Sequence, residues 1–245
     1  MKRASIIIPT NNQLDFLQSC ILSIRKHTDI PYEIIVVDNA STDGTAEWCR
    51  KEKIPFISIS RNKGFSSACN KGLLLSSGDT LVLLNNYSLV TRGWLSNLTA
   101  ALYSGSDVGI VGPVTNYAIG SQQVQYPFEN IDDFQRIAEE VNVSNPVKWK
   151  RVERVAGICF VFRRELMDKI GLLDERFTPG HFEYNDYCLR ARQGGYSLLI
   201  CHDTLIYHED SAVLRQEGIQ DQHSLADRNY QLFMDKWQLD RGSFI

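Results

Sequence analysis

The run EIIVVDNASTDGT, Glu33 to Thr45, decides how this chain is read. Ile34, Ile35, Val36 and Val37 are β-branched and uninterrupted by polar residues, the pattern of a strand covered on both faces of a parallel sheet. The run stops at Asp38, and Asn39, Ser41, Thr42, Asp43 and Gly44 follow in a turn-forming loop. In open α/β sheets ligands bind just outside the carboxyl ends of the strands. Asp38 and Asp43 therefore stand where a ligand's hydroxyls or ring nitrogens would be met. The same residue types also build Asx-turns and helix caps without any ligand, so the run alone leaves both readings open.

Working outward, the alternation is regular. Ser5 to Ile8 reads as a strand ended by Pro9-Thr10-Asn11-Asn12, and Leu14, Leu17, Ile21 and Ile24 fall at helical spacing as far as His27. After Asp43 comes a short helix through Trp48, then a strand from Pro55 to Ile59. The segment RNKGFSSACNKGLLLSSG holds a helix opened by Gly64 and closed by Gly78. Thr80 to Leu84 is an apolar strand ending at Asn85-Asn86-Tyr87-Ser88. A helix of Trp94, Leu95, Leu98, Ala101 and Leu102 precedes a strand from Val108 to Val111. This order predicts an α/β fold with a mostly parallel central sheet, flanked by helices and joined by right-handed crossovers.

Beyond Pro113 the rhythm loosens. Thr115 to Phe128 is polar and irregular, and Phe134 to Val141 is amphipathic. Val155 to Phe162 leads into a helix from Arg164 to Ile170, and GHFEYNDYCLRARQGGY holds a loop and a helix. Leu198 to Ile200 is a last strand, and Leu225 to Trp237 a last helix. No repeat or linker interrupts the chain. We expect one domain in two halves, residues 1–113 and an acceptor-side lobe of residues 114–245 packed on the sheet.

Composition removes several function classes. The chain has 245 residues, 43% apolar and 22% charged, with a net charge of -3 and a pI near 6.0. No global field recruits nucleic acid or anionic membrane. The apolar run near the N-terminus is too short for a signal peptide, and no segment reaches transmembrane length. These points predict a cytoplasmic protein, with peripheral attachment to a membrane as the variant. Six scattered cysteines without a C-x-x-C pair read as buried, reduced thiols. No G-x-G-x-x-G follows the first strand and no G-x-x-x-x-G-K-[ST] occurs, so dinucleotide and P-loop chemistry are set aside. The turn PTNNQ lacks the glycine-rich basic loop that grips a triphosphate. Polar loops after strands one, two and four, with Arg61 and Lys63 after strand three, suit a nucleoside diphosphate carrying a sugar.

The motifs in order are SIIIPTNNQLDFLQSCILSI, VVDNASTDGT, RNKGFSSACNKGL, LLNNYSLVTRGWL, AGICFVFRRELMDKIGLLDERF, HFEYNDYCLRARQGGY and YHEDS. With them the chain resembles a family 2 glycosyltransferase of GT-A fold, the Rossmann-like nucleotide-diphospho-sugar transferase architecture. The resemblance implies transfer of a sugar from a nucleotide diphosphate donor, with inversion, to a glycan, lipid-linked or protein acceptor. It implies that Pro9, Thr10 and Asn12 lie at the nucleoside pocket and that Asp38 meets base or ribose, followed by Asn39 and Ser41. Arg61, Gly64 and Asn70 would stand beside the nucleotide. Asn85 and Asn86 would end the strand that normally presents a metal-binding acid.

Three departures from the family pattern bear on the chemistry. Tyr87 stands where an aspartate holds a divalent cation, Tyr184 where an aspartate is the general base, and Asn11 where an aromatic residue is usual. A phenol that ionises near pH 10 replaces neither acid at neutral pH. Asp186 is the first candidate for the base and Glu183 the second, and both also suit a helix N-terminus. His208 in YHEDS would face the diphosphate or a metal. A cation, Mn²⁺ or Mg²⁺, would then bind weakly through Asn86, His208 and the donor phosphates. The basic run Lys148, Lys150, Arg151 and Arg154 would offset diphosphate charge, greet an anionic acceptor, or simply solvate a strand edge. Two functions stay open: an active inverting transferase with relocated groups, and a degenerate module that binds nucleotide sugar or glycan without turnover.

Overall fold

A computed structural model describes residues 3–118, 120–209 and 222–238. Its first part keeps the expected alternation: β1 (Ala4–Thr10), α1 (Leu14–His27), β2 (Tyr32–Asp38), α2 (Thr45–Lys51), β3 (Phe56–Ser58), α3 (Phe65–Leu75) and β4 (Thr80–Leu84). After it come β5 (Ser88–Leu89), α4 (Trp94–Leu102), β6 (Val108–Thr115), α5 (Ile131–Val141), β7 (Trp149–Val152) and β8 (Cys159–Arg163). The chain continues through α6 (Arg164–Ile170), α7 (Glu183–Gln193), β9 (Ser197–His208) and α8 (Gln222–Trp237).

The strands form one sheet in the order β3-β2-β1-β4-β8-β6-β9-β5, with β7 paired to β9. Pairings within β3-β2-β1-β4 are parallel, as is β6 with β9. The departure from expectation is β8, which inserts antiparallel between β4 and β6 and welds the two halves together. The strand expected from Val155 shortens to Cys159–Arg163, while Val108 to Val111 lengthens to Thr115 and Leu198 to Ile200 lengthens to His208.

Helices cover both faces of the sheet. On one side Ile6, Ile8, Val36 and Val82 pack with Leu17 and Ile21 of α1 and Trp94 and Leu98 of α4. On the other, Ile7, Ile35, Val37 and Leu83 pack with Leu73 of α3 and Tyr187 of α7. Successive side chains of a strand point to opposite faces, so a strand buried on both needs an unbroken apolar run. Burying each such Leu or Ile contributes about 1.5–3 kcal/mol. All six cysteines are free and buried. Among the described residues no helix is long and apolar enough to cross a membrane.

The basic run divides. β7 is an edge strand pairing only with β9, Lys150 is exposed, and Arg151 pairs with Asp107 at 2.9 Å. Those residues solvate an edge, whereas Arg154 lines a cavity described below.

Candidate functional site

Two cavities of about 340 Å³ each open at the carboxyl ends of the strands. The first is lined by Pro9 and Thr10 from β1, by Asn39, Asn62, Gly64 and Phe65, by Asn85, Asn86 and Tyr87 after β4, and by Pro179. Gly64 is indispensable there. Its φ is +84°, and a Cβ would lie 2.2 Å from Thr178 Oγ1, so no other residue lets α3 begin this close to the 178–182 segment.

Amides tie the wall of this cavity together. Asn39 Nδ2 donates to Asn62 Oδ1 at 2.8 Å, and its Oδ1 accepts from the Lys63 amide at 3.1 Å. Asn86 Nδ2 donates to Thr10 Oγ1 at 3.1 Å. Asn11, where the family carries an aromatic ring, donates through Nδ2 to the Asn39 carbonyl at 2.8 Å.

Several expected nucleotide contacts stand behind this lining instead of in it. Asp38 is 1% exposed; its Oδ1 accepts from the Ser41 amide at 2.8 Å and its Oδ2 from Ser58 Oγ at 3.0 Å. It ties the loop after β2 back on itself and to β3. Asn12 and Ser41 lace two loops, the Asn12 amide donating to Ser41 Oγ at 2.8 Å. Asn70 is buried and bridges Leu173 and Glu175. Arg61 is exposed and is not part of the lining.

The second cavity is lined by residues including Gln122, Arg154, Gly157, His181, Glu183 and Tyr184. Glu183, the first residue of α7, is 6% exposed and its Oε2 has no hydrogen-bond partner. Burial pushes its pKa up to about 7. Tyr184 fills the space beneath: its ring centroid is 4.9 Å from that of Phe160, and a Cβ on Gly157 would sit 1.7 Å from its ring. Tyr87 belongs to the wall of the first cavity, and burial with the nearby Glu183 charge drives its phenol up to about 12. The two cavities adjoin through Phe65 of the first and Tyr184 of the second, whose ring centroids are 5.6 Å apart.

Asp186 faces neither cavity. It is 0% exposed and takes Arg190 Nε at 2.9 Å, Lys236 Nζ at 2.5 Å and Trp237 Nε1 at 3.0 Å. The first candidate for a base is therefore locked into the α7–α8 contact. The i, i+3 spacing placed it on the right helix, but the partners that saturate it come from the chain's last described helix.

His208 pairs with Ser88 across β5 and β9, and its ring lies 5.1 Å from Tyr87 and 6.1 Å from Tyr117. Its Nδ1 is 2.9 Å from the Tyr117 carbonyl oxygen, so that nitrogen carries the proton. It is not part of the lining of the first cavity. Asp210 and Ser211 of YHEDS lie outside the described residues.

A divalent cation needs hard, charged oxygen ligands. The candidate donors are the Asn86 amide, a phenol held un-ionised at Tyr87, and an imidazole behind it. Among the described residues no three His, Cys, Asp or Glu side chains gather closely enough to hold an ion. This donor set does not fit a tightly held Mg²⁺ or Mn²⁺.

The family model for glycosyl transferase family 2 matches residues 5–171. The chain belongs to this family. Among curated proteins, the uncharacterized protein y4gI of Sinorhizobium fredii is 27% identical over 96% of this chain and 27% of its own length. The glycosyltransferase AglE of Haloferax volcanii is 27% identical over 83% of this chain and 66% of its own length. The solved mannosyltransferase PcManGT from Pyrobaculum calidifontis, in complex with GDP-Man and Mn²⁺, superposes with a TM-score of 0.65 at 22% identity. That match covers 84% of this chain and 56% of the mannosyltransferase. The fold is GT-A, and this family 2 chain spans two thirds or less of the length of each of these proteins.

Proposed function

We propose that the chain transfers a sugar from a nucleoside diphosphate donor in the first cavity to an acceptor hydroxyl in the second, with inversion. The observation that carries the reading is the buried Glu183 carboxylate, whose Oε2 has no hydrogen-bond partner, in the lining of the second cavity next to the Phe65–Tyr184 contact with the first. Glu183 Oε2 takes the acceptor proton as the acceptor oxygen attacks the anomeric carbon, and the bond from that carbon to the diphosphate oxygen breaks. Glu183 replaces Asp186 in this role because it lines a cavity and Asp186 does not. The family match and the GDP-Man bound by PcManGT support a nucleotide-sugar donor.

Leaving-group charge is met without a tightly held metal, by the exposed Arg61 and Lys63 on either side of the lining residue Asn62 and by the N-terminal end of α3. The second reading, binding without turnover, is favoured by one fact: both positions where the family carries its acids are tyrosines, half-buried Tyr87 and buried Tyr184. Calorimetric titration of UDP, GDP and dTDP with and without Mn²⁺, repeated on Tyr87→Asp, tests the reading. The wild type should bind one of them with an affinity that Mn²⁺ leaves unchanged, and Tyr87→Asp should gain metal dependence. Strong metal dependence in the wild type sinks the metal-independent part. Incubation with the matching nucleotide sugar separates the two functions: loss of slow hydrolysis in Glu183→Gln supports transfer, and no wild-type turnover supports binding alone.

A further inference from the structure

We propose that Asn229, on α8, is a positioning residue: it sets the 178–182 segment that puts Pro179 in the donor cavity and Glu183 at the acceptor cavity. The inference rests on the transferase reading of Glu183 given above.

The segment is a bridge between the cavities. Pro179 lines the first, and its carbonyl accepts the Phe65 amide at 2.8 Å where α3 begins. His181 and Phe182 line the second, and Glu183 follows directly. The bridge is also a conformation that its own residues disfavour. His181 and Phe182 have φ of 74° and 71°, left-handed backbone that bulky side chains rarely adopt. Such backbone persists only where its surroundings hold it.

α8 supplies the hold. Asn229 is 0% exposed, and its Nδ2 donates to the Gly180 carbonyl at 2.6 Å, with the His181 and Thr178 carbonyls at 3.4 and 3.5 Å. One amide thus serves three carbonyls gathered by the turn. One helical turn on, Phe233 packs against Phe182 at 5.6 Å and Phe177 at 6.4 Å, and Tyr230 packs against Phe182 at 5.6 Å. Lys236 and Trp237 then grip Asp186, three residues past Glu183. Glu183 is consequently flanked on both sides by contacts to one helix, which lies outside the family match at residues 5–171.

The decisive comparison is Asn229→Ala against Asn229→Asp, with Gln231→Ala, exposed on the same helix, as control. Asn229→Asp keeps the shape and removes the donor, so it separates amide donation from mere packing. With the nucleotide sugar that the wild type hydrolyses or transfers, both Asn229 variants should lose roughly 10- to 100-fold in kcat while donor KM moves about threefold or less. Hydrogen exchange across 178–183 should accelerate in both and stay unchanged in Gln231→Ala. The proposal is overturned if Asn229→Asp keeps wild-type kcat and wild-type exchange, or if folded Asn229→Ala does. Should the wild type turn over no nucleotide sugar, the transferase reading falls by itself. Exchange then decides the clamp alone, unchanged protection in both variants overturning it.

Discussion

Glu183 is where the chemistry of a single residue is most exposed to test. Its carboxyl titrates near 7 when folded and near 4.5 when unfolded. Between those values the native state binds a proton that the unfolded chain has released, so stability falls as pH rises from about 4.5 to 7. Glu183→Gln removes that penalty. We expect it to be more stable than wild type at pH 8 by about 1–3 kcal/mol and indistinguishable below pH 4, read from urea midpoints at the two pH values. Any catalysis that needs the carboxylate should rise through pH 7. Gly64 makes the complementary case, in which the backbone decides. Gly64→Ala forces a Cβ into Thr178 at a left-handed φ and should cost at least about 1 kcal/mol in unfolding free energy, with weaker nucleoside diphosphate binding. Wild-type affinity with full stability would show that the 178–182 segment does not bound the site where the nucleotide binds.

At the scale of elements, α7 and α8 are joined by buried charge. Asp186 meets Arg190, Lys236 and Trp237, and Lys236 also meets Asp174, whose carboxyl is held well below the usual range, first by Arg176 and then by Lys236. Removing one partner of such a cluster strands the others in low dielectric. Asp186→Ala should lose about 3–5 kcal/mol of stability, measured by denaturant titration, whatever it does to turnover. If Asp186→Ala were fully stable and inactive, the base would belong at Asp186 after all. Most elements were legible from periodicity: α1 ends at His27 as expected because its apolar stripe and its basic last turn coincide. β7 escaped, because a four-residue edge strand with exposed Lys150 and Arg151 carries no apolar alternation to read.

For the whole molecule, the antiparallel β8 between β4 and β6 makes the first and second halves of the chain one hydrogen-bonded sheet. We expect a single cooperative unfolding transition, with tryptophan fluorescence and far-ultraviolet circular dichroism coinciding in urea. The four tryptophans, Trp48, Trp94, Trp149 and Trp237, report from both halves. A nucleoside diphosphate at about 100 times its Kd should raise the unfolding free energy by about 2.7 kcal/mol if it binds the native state alone. Two separated transitions would mean that the halves fold independently.

The amino-acid sequence alone determined the α/β class, the order of the parallel strands and the polar strand ends that line the first cavity. Those features follow from local periodicity and turn chemistry, which neighbouring residues carry by themselves. Pro9, Thr10, Asn39, Gly64, Asn85 and Asn86, which the resemblance to family 2 glycosyltransferases implied, all line the cavity. Tertiary structure decided which acids are spoken for. Asp38 and Asp186 look as available in the sequence as Glu183 does, yet Ser58, Lys236 and Trp237 reach them from 20, 50 and 51 residues away. Burial and partner choice are long-range properties, and no spacing within EIIVVDNASTDGT or HFEYNDY encodes them.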